Sequence, residues 1–319
     1  MQKFISCDWG TSVLRMRLIH TDNLSVLAEV VSPQGISATF NLWKQSEKLE
    51  GERLSFYQSI LTEQIKKLEE QTVIPLQNVP LIISGMASSN IGMMELAYKE
   101  IPFNVTGNDL NVKWIEETNE LKHKTLLISG VKTANDVMRG EEAQLAGCGN
   151  DNNNSEYQLF IFPGTHSKHV SVKEGKAVDF KTYMTGEFFE LLCKKSTLSG
   201  GVEDNEDLFD KDNFKNFEKG VKDSISENIL HSSFLVRTNY LLNKLTKKEN
   251  YYYLSGLLIG TELKELKNIS VPLVLVSNKQ LKEIYLAALR IFGLEETKVL
   301  NADEVLIAGH YRIYNQNKF

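Results

Sequence analysis

The two halves of the chain begin with the same order of elements, and this duplication constrains the fold more than any other feature. In each half an apolar strand leads into a turn of glycine and hydroxyl residues, a second strand, a short turn and a third strand. The polar segment 149–155, the clearest break in the sequence, separates the halves. The pattern predicts a duplicated α/β protein with domains at 1–150 and 151–319 and a ligand cleft between them.

Apolar runs and apolar residues at helical spacing place the elements of this fold. Strands are predicted at 4–7, 14–19, 24–31, 80–84, 126–129, 158–162, 169–173, 177–183 and 272–276. Helices are predicted at 52–70, 187–195, 214–228, 234–245 and 280–292. A last helix, over about 302–315, is expected to pack back at the interface between the domains. Gly256 and Gly260 favour close helix packing, with the wall of a nucleotide site as the alternative.

Composition excludes several classes of protein. The 36 Lys and Arg residues are outnumbered by 41 Asp and Glu residues, whereas nucleic-acid binders usually carry a basic excess. Cys7, Cys148 and Cys193 form no C-x-x-C pair, so neither a disulfide framework nor a thiolate zinc site is expected. No apolar run reaches about 18 residues, and Asp8 interrupts the N-terminus before a signal peptide could form. We therefore expect a cytoplasmic protein that binds neither nucleic acid nor a membrane.

Two turns of glycine and hydroxyl residues are the main candidates for a functional site. The first, over 8–12, is Asp-Trp-Gly-Thr-Ser, and the second, over 163–168, is Pro-Gly-Thr-His-Ser-Lys. Glycine lets backbone amides approach a polyanion closely, and hydroxyl groups add donors with little bulk. Either turn alone could be an ordinary tight turn. Because each follows the first strand of its half, the pair favours two hairpins that hold phosphate groups.

The residues in these motifs, and the catalytic signatures missing from the sequence, limit the reactions that the protein can catalyse. Asp8 would repel a phosphate group unless a Mg²⁺ ion, acting through its waters, lay between them. The P-loop, H-E-x-x-H and G-x-S-x-G signatures do not occur in the sequence. A zinc site at His166 and His169 is not expected, because their spacing on a strand or turn puts them on opposite sides and no third ligand is near.

Several segments together carry a resemblance to a known family. They are Ser-Gly-Met at 84–86, Asp-Val-Met-Arg-Gly-Glu-Glu at 136–142, Thr-Tyr-Met-Thr-Gly-Glu at 182–187 and Leu-Ser-Gly-Leu-Leu-Ile-Gly at 254–260, besides the two turns. The first turn, with Leu14 and Arg15, resembles the first phosphate loop of the sugar kinase, heat-shock-protein and actin-like ATPase superfamily. The whole chain resembles, more narrowly, the 2-dehydro-3-deoxygalactonokinase family.

The resemblance implies a two-lobed actin-like ATPase (ribonuclease H-like) fold, in which duplicated mixed sheets are flanked by helices around a cleft. It implies an ATP-dependent carbohydrate kinase that uses Mg²⁺, held through water by Asp8, and phosphorylates the C6 hydroxyl of 2-dehydro-3-deoxy-D-galactonate. A homodimer is compatible with it. The implied ATP-binding residues are Asp8, Gly10, Thr11, Ser12, Gly164, Thr165, His166, Ser167, Lys168 and Ser277. The implied substrate-binding residues are Arg15, Ser88, Ser89, Arg139 and Glu142.

Asp136 is the candidate for the base that takes the proton from the sugar hydroxyl. It follows the strand predicted at 126–129 and, by the resemblance, matches an Asn-Asp…Glu segment of other sugar kinases. Two other roles stay open, an N-cap of a helix beginning there and a part in holding Mg²⁺. Glu187 likewise could reach the cleft or simply stabilise the first turn of a helix.

A sugar acid carries a carboxylate, so its pocket needs a cation or a set of amides. Arg15, Arg17, Arg139 and Lys168 are the cations near the motifs, and Lys168 is assigned to phosphate first. Arg15 and Arg17 share one face of a strand because their spacing is two. A solvated strand face is the alternative, above all for Arg17.

The chain departs from relatives of this family at a few positions. Asn90 replaces a usual Arg, Met93 or Met94 a Trp, Ala97 a Pro and His169 a Trp. If the missing Arg normally binds the substrate carboxylate, the identity of the sugar acid is open. The alternatives are therefore a kinase of a different sugar acid or ketose, and a non-catalytic nucleotide-binding protein of the same fold.

Overall fold

Residues 2–72, 74–149, 157–204, 208 and 210–318 are described by a computed structural model of the chain. The strands are β1 (Lys3–Trp9), β2 (Leu14–His20), β3 (Val26–Ser32), β4 (Leu81–Gly85), β5 (Lys99–Glu100), β6 (Phe103–Asn104), β7 (Val112–Ile115), β8 (Thr125–Ile128), β9 (Val131–Lys132), β10 (Val137–Met138), β11 (Tyr157–Phe162), β12 (Ser167–Lys173), β13 (Lys176–Tyr183), β14 (Leu273–Ser277) and β15 (Lys298–Asn301). The α-helices are α1 (Ile36–Gln45), α2 (Arg53–Thr72), α3 (Glu141–Gly147), α4 (Thr185–Lys195), α5 (Lys211–Ser226), α6 (Ile229–Leu241), α7 (Lys247–Leu263), α8 (Lys279–Ile291) and α9 (Ala302–Gln316).

Contacts divide the chain into two units. The first unit is formed by Met1–Asn154, Val172–Phe180 and Ala302–Phe319, and the second by Ser155–Ser171 and Lys181–Asn301. The last helix, α9, therefore belongs to the first unit.

A six-stranded mixed sheet forms the centre of the first unit, in the order β3-β2-β1-β4-β8-β7. β1, β2 and β3 form the predicted antiparallel meander, while β1, β4 and β8 are parallel neighbours. β3 begins at Val26 and not at position 24, because Leu24 has a φ of 55° and belongs to the turn. The strands predicted at 80–84 and 126–129 are confirmed as β4 and β8.

Helices cover this sheet with their apolar faces. α2 is confirmed where the spacing predicts it, and its buried face includes Tyr57, Leu61 and Ile65. Gln58 is buried on the same helix, and its side-chain carbonyl accepts a hydrogen bond from the Thr118 hydroxyl at 3.1 Å. The polar residue that interrupts the apolar face therefore has a hydrogen-bond partner. α1 has no counterpart among the predicted helices, since it is only ten residues long.

The sheet of the second unit contains β15-β14-β11-β12-β13 in that order, with β14 parallel to both β11 and β15. The last two residues of β12 and the first five of β13 are grouped with the first unit, where Lys176 and Ala177 pair with β6. α7 is buried on almost every side, which explains why the apolar run 251–263 has no helical periodicity. In the described parts of the chain, every helix is too short or too polar to cross a membrane.

Glycines on α7 permit close helix packing in the second unit. A Cβ atom at Gly256 would lie 2.2 Å from the carbonyl oxygen of Phe217, and one at Gly260 would lie 2.3 Å from the Ser224 hydroxyl oxygen. The packing interpretation of both glycines is confirmed.

Glycines also permit close packing of α3 against α9 in the first unit. A Cβ atom at Gly147 would lie 1.6 Å from the carbonyl oxygen of Val305, and one at Gly309 would lie 1.8 Å from that of Ala143. The two helices therefore touch backbone to backbone, with no room for a side chain at the crossing.

Gly309→Ala is expected to lower the free energy of unfolding by about 1–3 kcal/mol, because its methyl group would push α9 away from α3. Urea unfolding followed by circular dichroism measures this loss. Gly51→Ala is the matched control, since open space surrounds that position and little change is expected. Equal stabilities of the two variants would contradict the close packing.

Candidate active site

The first glycine and hydroxyl turn is held by the helix that follows the meander. The N–H groups of Ile36 and Ser37, at the start of α1, donate to the carbonyls of Gly10 and Thr11 at 2.9 and 3.0 Å. These carbonyls therefore face α1, while the residues Thr11 and Ser12 are exposed. The turn presents two hydroxyl groups on a fixed backbone.

Asp8 lies near the end of β1, opposite Arg15 on β2 and Ser84 on β4. Burial raises the pKa of its carboxyl group to about 6, against the opposing charges of Arg15 and Arg17. The group is ionised at neutral pH, and no donor in the described part of the chain forms a hydrogen bond to it. Asp8 is only partly buried, so a cation or water can reach this carboxylate, which has no protein donors of its own among the described residues.

This environment fits a water-mediated contact with Mg²⁺. The described residues contain no group of three or more acidic, His or Cys side chains that could enclose a metal ion. Mg²⁺ often keeps several waters and takes few protein carboxylates when phosphate oxygens are also present. Asp8 can supply the one carboxylate that such an ion needs.

The two arginines of β2 differ in how fully they are paired. Arg17 is 3% exposed and pairs with Glu29 and, at 2.8 Å, with Asp303 at the start of α9. The alternative of a solvated strand face is therefore wrong for Arg17. Arg15 approaches Asp303 at 3.5 Å, and its buried Nε–H has no partner among the described residues.

A buried histidine joins α9 to the strands beside Asp8. His310 Nδ1 lies 2.8 Å from the Ser6 hydroxyl, and its Nε2 lies 2.9 Å from the Ser84 hydroxyl. Burial lowers the pKa of His310 to about 3, so the neutral ring donates to one serine and accepts from the other. Sequence patterns gave no signal for this link, because it joins residues about 300 positions apart in one contact.

Gly85 brings the Asp8 turn next to the second group of candidate residues. Its φ is +88°, and a Cβ atom there would lie 2.8 Å from the carbonyl oxygen of Trp9 and 3.3 Å from Oδ1 of Asp8. A Cβ atom at Gly140 would lie 3.8 Å from the Gly85 Cα. Gly85 is therefore a site residue that sequence reasoning missed, although its place at the end of a buried strand was a usable signal.

Arg139 is fixed between an aromatic ring and a serine. Its guanidinium carbon lies 4.0 Å from the centre of the Tyr98 ring. Nε donates to the Tyr98 hydroxyl at 3.1 Å, and Nη1 donates to the Ser88 hydroxyl at 2.7 Å. The structure thus brings together two of the predicted substrate residues. Ser89, in contrast, donates to the carbonyl of Met86 at 2.7 Å.

Asp136 closes the β9–β10 hairpin. Its N–H donates to the Thr133 hydroxyl at 2.9 Å, its carbonyl accepts from the Thr133 N–H at 2.9 Å, and its Oδ1 accepts from the Val137 N–H at 2.7 Å. The next helix, α3, begins only at Glu141, so the alternative that Asp136 caps a helix is wrong. The turn leaves the residue partly exposed.

Glu142 lies in the first turn of α3 and is completely buried. Both of its carboxylate oxygens lie within 2.9 Å of the Gly140 nitrogen. Burial, with the neighbouring charge of Glu141, raises the pKa of Glu142 to about 8. The residue stabilises the glycine turn before α3, and it exposes no atom for the substrate contact expected from the sequence.

The second glycine and hydroxyl turn is tied to the start of α4 as the first is to α1. The Glu187 N–H donates to the carbonyl of Thr165 at 3.0 Å. A Cβ atom at Gly186 would lie 2.5 Å from the carbonyl oxygen of Gly164. The Glu187 side chain contacts His166, with 2.5 Å between Oε2 and Nε2. Glu187 therefore binds the turn through both its backbone and its side chain.

A buried polar network supports this turn from the core of the second unit. The Glu262 carboxylate, on α7, accepts hydrogen bonds from Thr185 at 2.5 Å, Tyr285 at 2.7 Å and His169 at 3.0 Å. Because the Tyr285 proton points to Glu262, the Ser167 hydroxyl is the donor in its 3.0 Å contact with Tyr285. Ser167 is fully buried, so its hydroxyl serves the network.

Two further predicted ATP-binding residues are also buried. Lys168 is buried, and its Nζ donates to the carbonyl of His166 at 3.1 Å. Ser277, at the end of β14, donates to the carbonyl of Asn278 at 3.1 Å, and Asn278 caps α8 by accepting from the Leu281 N–H at 3.0 Å. Ser277 and Asn278 thus stabilise the start of α8.

A small pocket lies beside the second turn, among α4, α7 and α8. It has a volume of about 120 Å³ and borders Gly164 and Gly186. Its other walls include Phe189, Tyr251, Ser255, Leu258, Ile284 and Tyr285. We call it the α4–α7–α8 pocket.

Asp8→Asn is expected to raise the melting temperature by a few degrees at pH 8, and by nothing near pH 4. The pKa of Asp8 is 3.8 in the unfolded chain and about 6 in the folded protein. The stability of the wild type therefore falls as the pH rises from about 3.8 to about 6, because the carboxyl group ionises less readily in the folded protein. An asparagine never ionises, so the difference between variant and wild type grows over that interval and is then constant. Thermal melts from pH 4 to 8 measure it.

Asp22→Asn, in the exposed turn after β2, is the matched control and should give no such pH-dependent difference. A lower melting temperature of Asp8→Asn at pH 8 would contradict the account of Asp8.

Comparison with known proteins finds relatives over nearly the whole chain. The 2-keto-3-deoxy-galactonokinase family model matches residues 8–313. The 2-dehydro-3-deoxygalactonokinase of Escherichia coli (strain K12) is 28% identical over 307 residues, covering 93% of this chain and 92% of that protein. A solved structure from Sinorhizobium meliloti, described as a 2-dehydro-3-deoxygalactonokinase, is 26% identical with a TM-score of 0.81, covering 98% of this chain and 96% of that one.

A more distant structure shares the fold alone. The activator of the 2-hydroxyisocaproyl-CoA dehydratase from Clostridium difficile, solved with bound ADPNP, has a TM-score of 0.50 at 12% identity and covers 98% of this chain and 95% of that one. The predicted fold class, a duplicated α/β fold of the actin-like ATPase type, is confirmed. Since the family match extends over nearly the whole length, the chain belongs to the 2-keto-3-deoxy-galactonokinase family and is a carbohydrate kinase.

Proposed function

We propose that this kinase transfers the γ-phosphoryl group of ATP to the C6 hydroxyl of 2-dehydro-3-deoxy-D-galactonate. The family match over 8–313 supports the reaction. The observation that carries the choice of a sugar acid is Arg139, whose guanidinium is held by Tyr98 and Ser88 and has no carboxylate within ion-pair distance among the described residues. A guanidinium group that is held in place and has no carboxylate partner can bind an anionic substrate.

In this proposal the two glycine and hydroxyl turns bind the same triphosphate. The exposed Thr11 and Ser12 hydroxyls and the backbone amides of the second turn donate to phosphate oxygens, and Lys168 adds a positive charge. Mg²⁺, when bound, neutralises charge on the phosphates, and Asp8 would hold it through water.

The carboxylate of the sugar acid binds Arg139 in the same proposal. One hydrogen bond to Ser88 and stacking on Tyr98 fix the plane of the guanidinium, so little entropy is lost when a carboxylate pairs with it. Arg15, with an unpartnered Nε–H, is the second cation available to the substrate.

Asp136 acts as the base. The C6 oxygen attacks the γ-phosphorus, the bond from that phosphorus to the β,γ-bridging oxygen breaks, and the hydroxyl proton passes to the Asp136 carboxylate. The hydrogen bond from the Val137 N–H to Oδ1 orients this carboxylate. The products are ADP and the 6-phosphate of the sugar acid.

A different sugar acid or ketose is the alternative acceptor. It is suggested by Asn90, Met94 and Ala97, where the family resemblance implies other residues. In this chain the Arg53 guanidinium donates to the Asn90 carbonyl. A coupled assay of ADP release over a panel of sugar acids and ketoses tests the choice. Turnover with the galactonate derivative supports the proposal, and turnover only with another acceptor supports the alternative. No turnover with any acceptor would support a non-catalytic nucleotide-binding protein.

The proposal also includes the metal ion, the location and the partners of the reaction. The reaction uses Mg²⁺ with ATP, takes place in the cytoplasm and involves no nucleic acid or membrane. A homodimer is compatible with this proposal.

Asp136→Asn is expected to lower kcat by at least about 100-fold and to leave ATP affinity nearly unchanged, because only the proton acceptor is lost. Steady-state kinetics and ADP titration measure the two quantities. Asp179→Asn, an exposed acid on β13, is the matched control and should keep wild-type rates. An unchanged kcat for Asp136→Asn would remove this residue from the mechanism.

Arg139→Gln is expected to raise the KM for the sugar acid by about 10- to 100-fold, because one charge-assisted pair is lost, and to leave the KM for ATP unchanged. The loss should largely disappear with an acceptor whose carboxylate is replaced by an amide. Arg290→Gln, an exposed arginine on α8, is the control. An equal loss with both acceptors would show that Arg139 does not recognise the carboxylate.

A further inference from the structure

One buried carboxylate, that of Glu262 on α7, joins three elements around the second glycine and hydroxyl turn: β12, α4 and α8. We propose that Glu262 and Tyr285 are positioning residues for ATP, which hold the turn in the conformation that binds phosphate. They act through the Ser167 hydroxyl and through the start of α4. The inference rests on the proposed use of this turn for phosphate, and it adds residues outside the turn that set its shape.

The first branch of this network reaches the turn through two hydroxyl groups. Tyr285 donates to the Glu262 carboxylate at 2.7 Å, and Ser167 donates to Tyr285 at 3.0 Å. Both hydroxyl protons are therefore directed toward the carboxylate, and the Ser167 oxygen keeps a lone pair for another donor. The Gly164 N–H, near the start of the turn, points to that oxygen at 3.4 Å. The branch thus connects Glu262 with both ends of the turn.

The second branch fixes the start of α4 beside the same turn. The Thr185 hydroxyl, on the first residue of α4, donates to Oε2 of Glu262, the same oxygen that accepts from Tyr285. A Cβ atom at Gly186 would lie 2.8 Å from the Cα of Thr165, so the backbones of the helix and the turn are in contact. One carboxylate oxygen therefore holds the turn and the helix in a single arrangement.

The tip of the turn has to be shaped from its buried side. Thr165 and His166 are exposed, whereas Ser167 is fully buried and Tyr285 and Glu262 are each 2% exposed. Hydrogen bonds in such a buried network are costly to break, because each broken bond leaves a polar group without a partner. A turn that is already ordered loses less conformational entropy when its amides bind phosphate. The network therefore favours phosphate binding without touching the ligand.

Isothermal titration of the full chain with ADP and with inorganic tripolyphosphate tests the proposal. Tyr285→Phe removes the hydroxyl between Ser167 and Glu262 and keeps the ring. It is expected to weaken the binding of both ligands by about 3- to 10-fold, the effect of one neutral hydrogen bond. The KM for ATP should rise by a similar factor while the KM for the sugar acid stays unchanged, a split that a general loss of stability would not produce.

Tripolyphosphate is needed because Tyr285 also lines the α4–α7–α8 pocket. This ligand has neither base nor ribose, so its affinity reports on phosphate binding alone. A loss with ADP but not with tripolyphosphate would mean that Tyr285 serves another part of the nucleotide, and it would overturn the positioning role.

Tyr253→Phe is the matched control. This tyrosine is equally buried in the second unit, and its hydroxyl donates to the Asp223 carboxylate at 2.8 Å, outside the network. The variant loses a similar hydrogen bond, and both of its affinities should equal those of wild type.

Two substitutions of Glu262 separate its hydrogen bonds from its charge. Glutamine keeps an oxygen for Tyr285 and Thr185, and its amide group can donate to His169 in the other tautomer of that ring. Glu262→Gln should therefore stay within about twofold of wild type for both ligands, whereas Glu262→Met, with only a weak acceptor, should lose at least as much as Tyr285→Phe. Equal losses in the two Glu262 variants would overturn the hydrogen-bonded route.

The outcomes separate this inference from the proposed function. Wild-type affinities of Tyr285→Phe for both ligands, with kinase activity intact, would overturn the positioning role alone. No binding of either ligand by wild type would overturn the proposed use of the second turn for phosphate together with this inference.

Discussion

Hydrogen bonds from helix N-termini to loop carbonyls hold both glycine and hydroxyl turns in shape. The first N–H groups of a helix have no acceptor within the helix itself. In α1 and α4 the residue before the helix, Gly35 or Met184, provides no side-chain cap. The carbonyls of Gly10, Thr11 and Thr165 act as acceptors for N–H groups in the first turns instead. These carbonyls therefore face the helices, which is the arrangement that a phosphate-binding turn requires.

The charged side chains inside the two units differ in whether other residues pair with them. Arg17 is neutralised by two acids, and the Glu262 carboxylate accepts three hydrogen bonds. Asp8 is only partly buried and receives no hydrogen bond from the described residues, and desolvation raises its pKa to about 6. Carboxylates with raised pKa values are concentrated at functional sites.

Sequence reasoning succeeded where the signal was local and failed where partners were distant. The strands around the two turns, the helix α2 and the family were all predicted, because alternation, helical spacing and short motifs are local properties. The alternative that Asp136 caps a helix was wrong, because the residue lies in the β9–β10 hairpin, where its N–H donates to the Thr133 hydroxyl. The solvated face expected as an alternative for Arg17 was wrong because Asp303, nearly 290 residues later, lies against it.

The sequence by itself determined the duplicated α/β pattern, the two turns and the kinase family. Tertiary structure decided which of the polar side chains in those motifs remain accessible. Three residues have side chains suited to binding ATP or the substrate, yet each is buried and hydrogen-bonded to a neighbouring residue: Ser167, Glu142 and Ser277. Arg139 gained its importance from Tyr98 and Ser88, which lie on other segments of the chain. The physical reason is that hydrogen bonding and burial depend on which segments come into contact in the folded chain. Local sequence patterns do not show which distant segments are in contact.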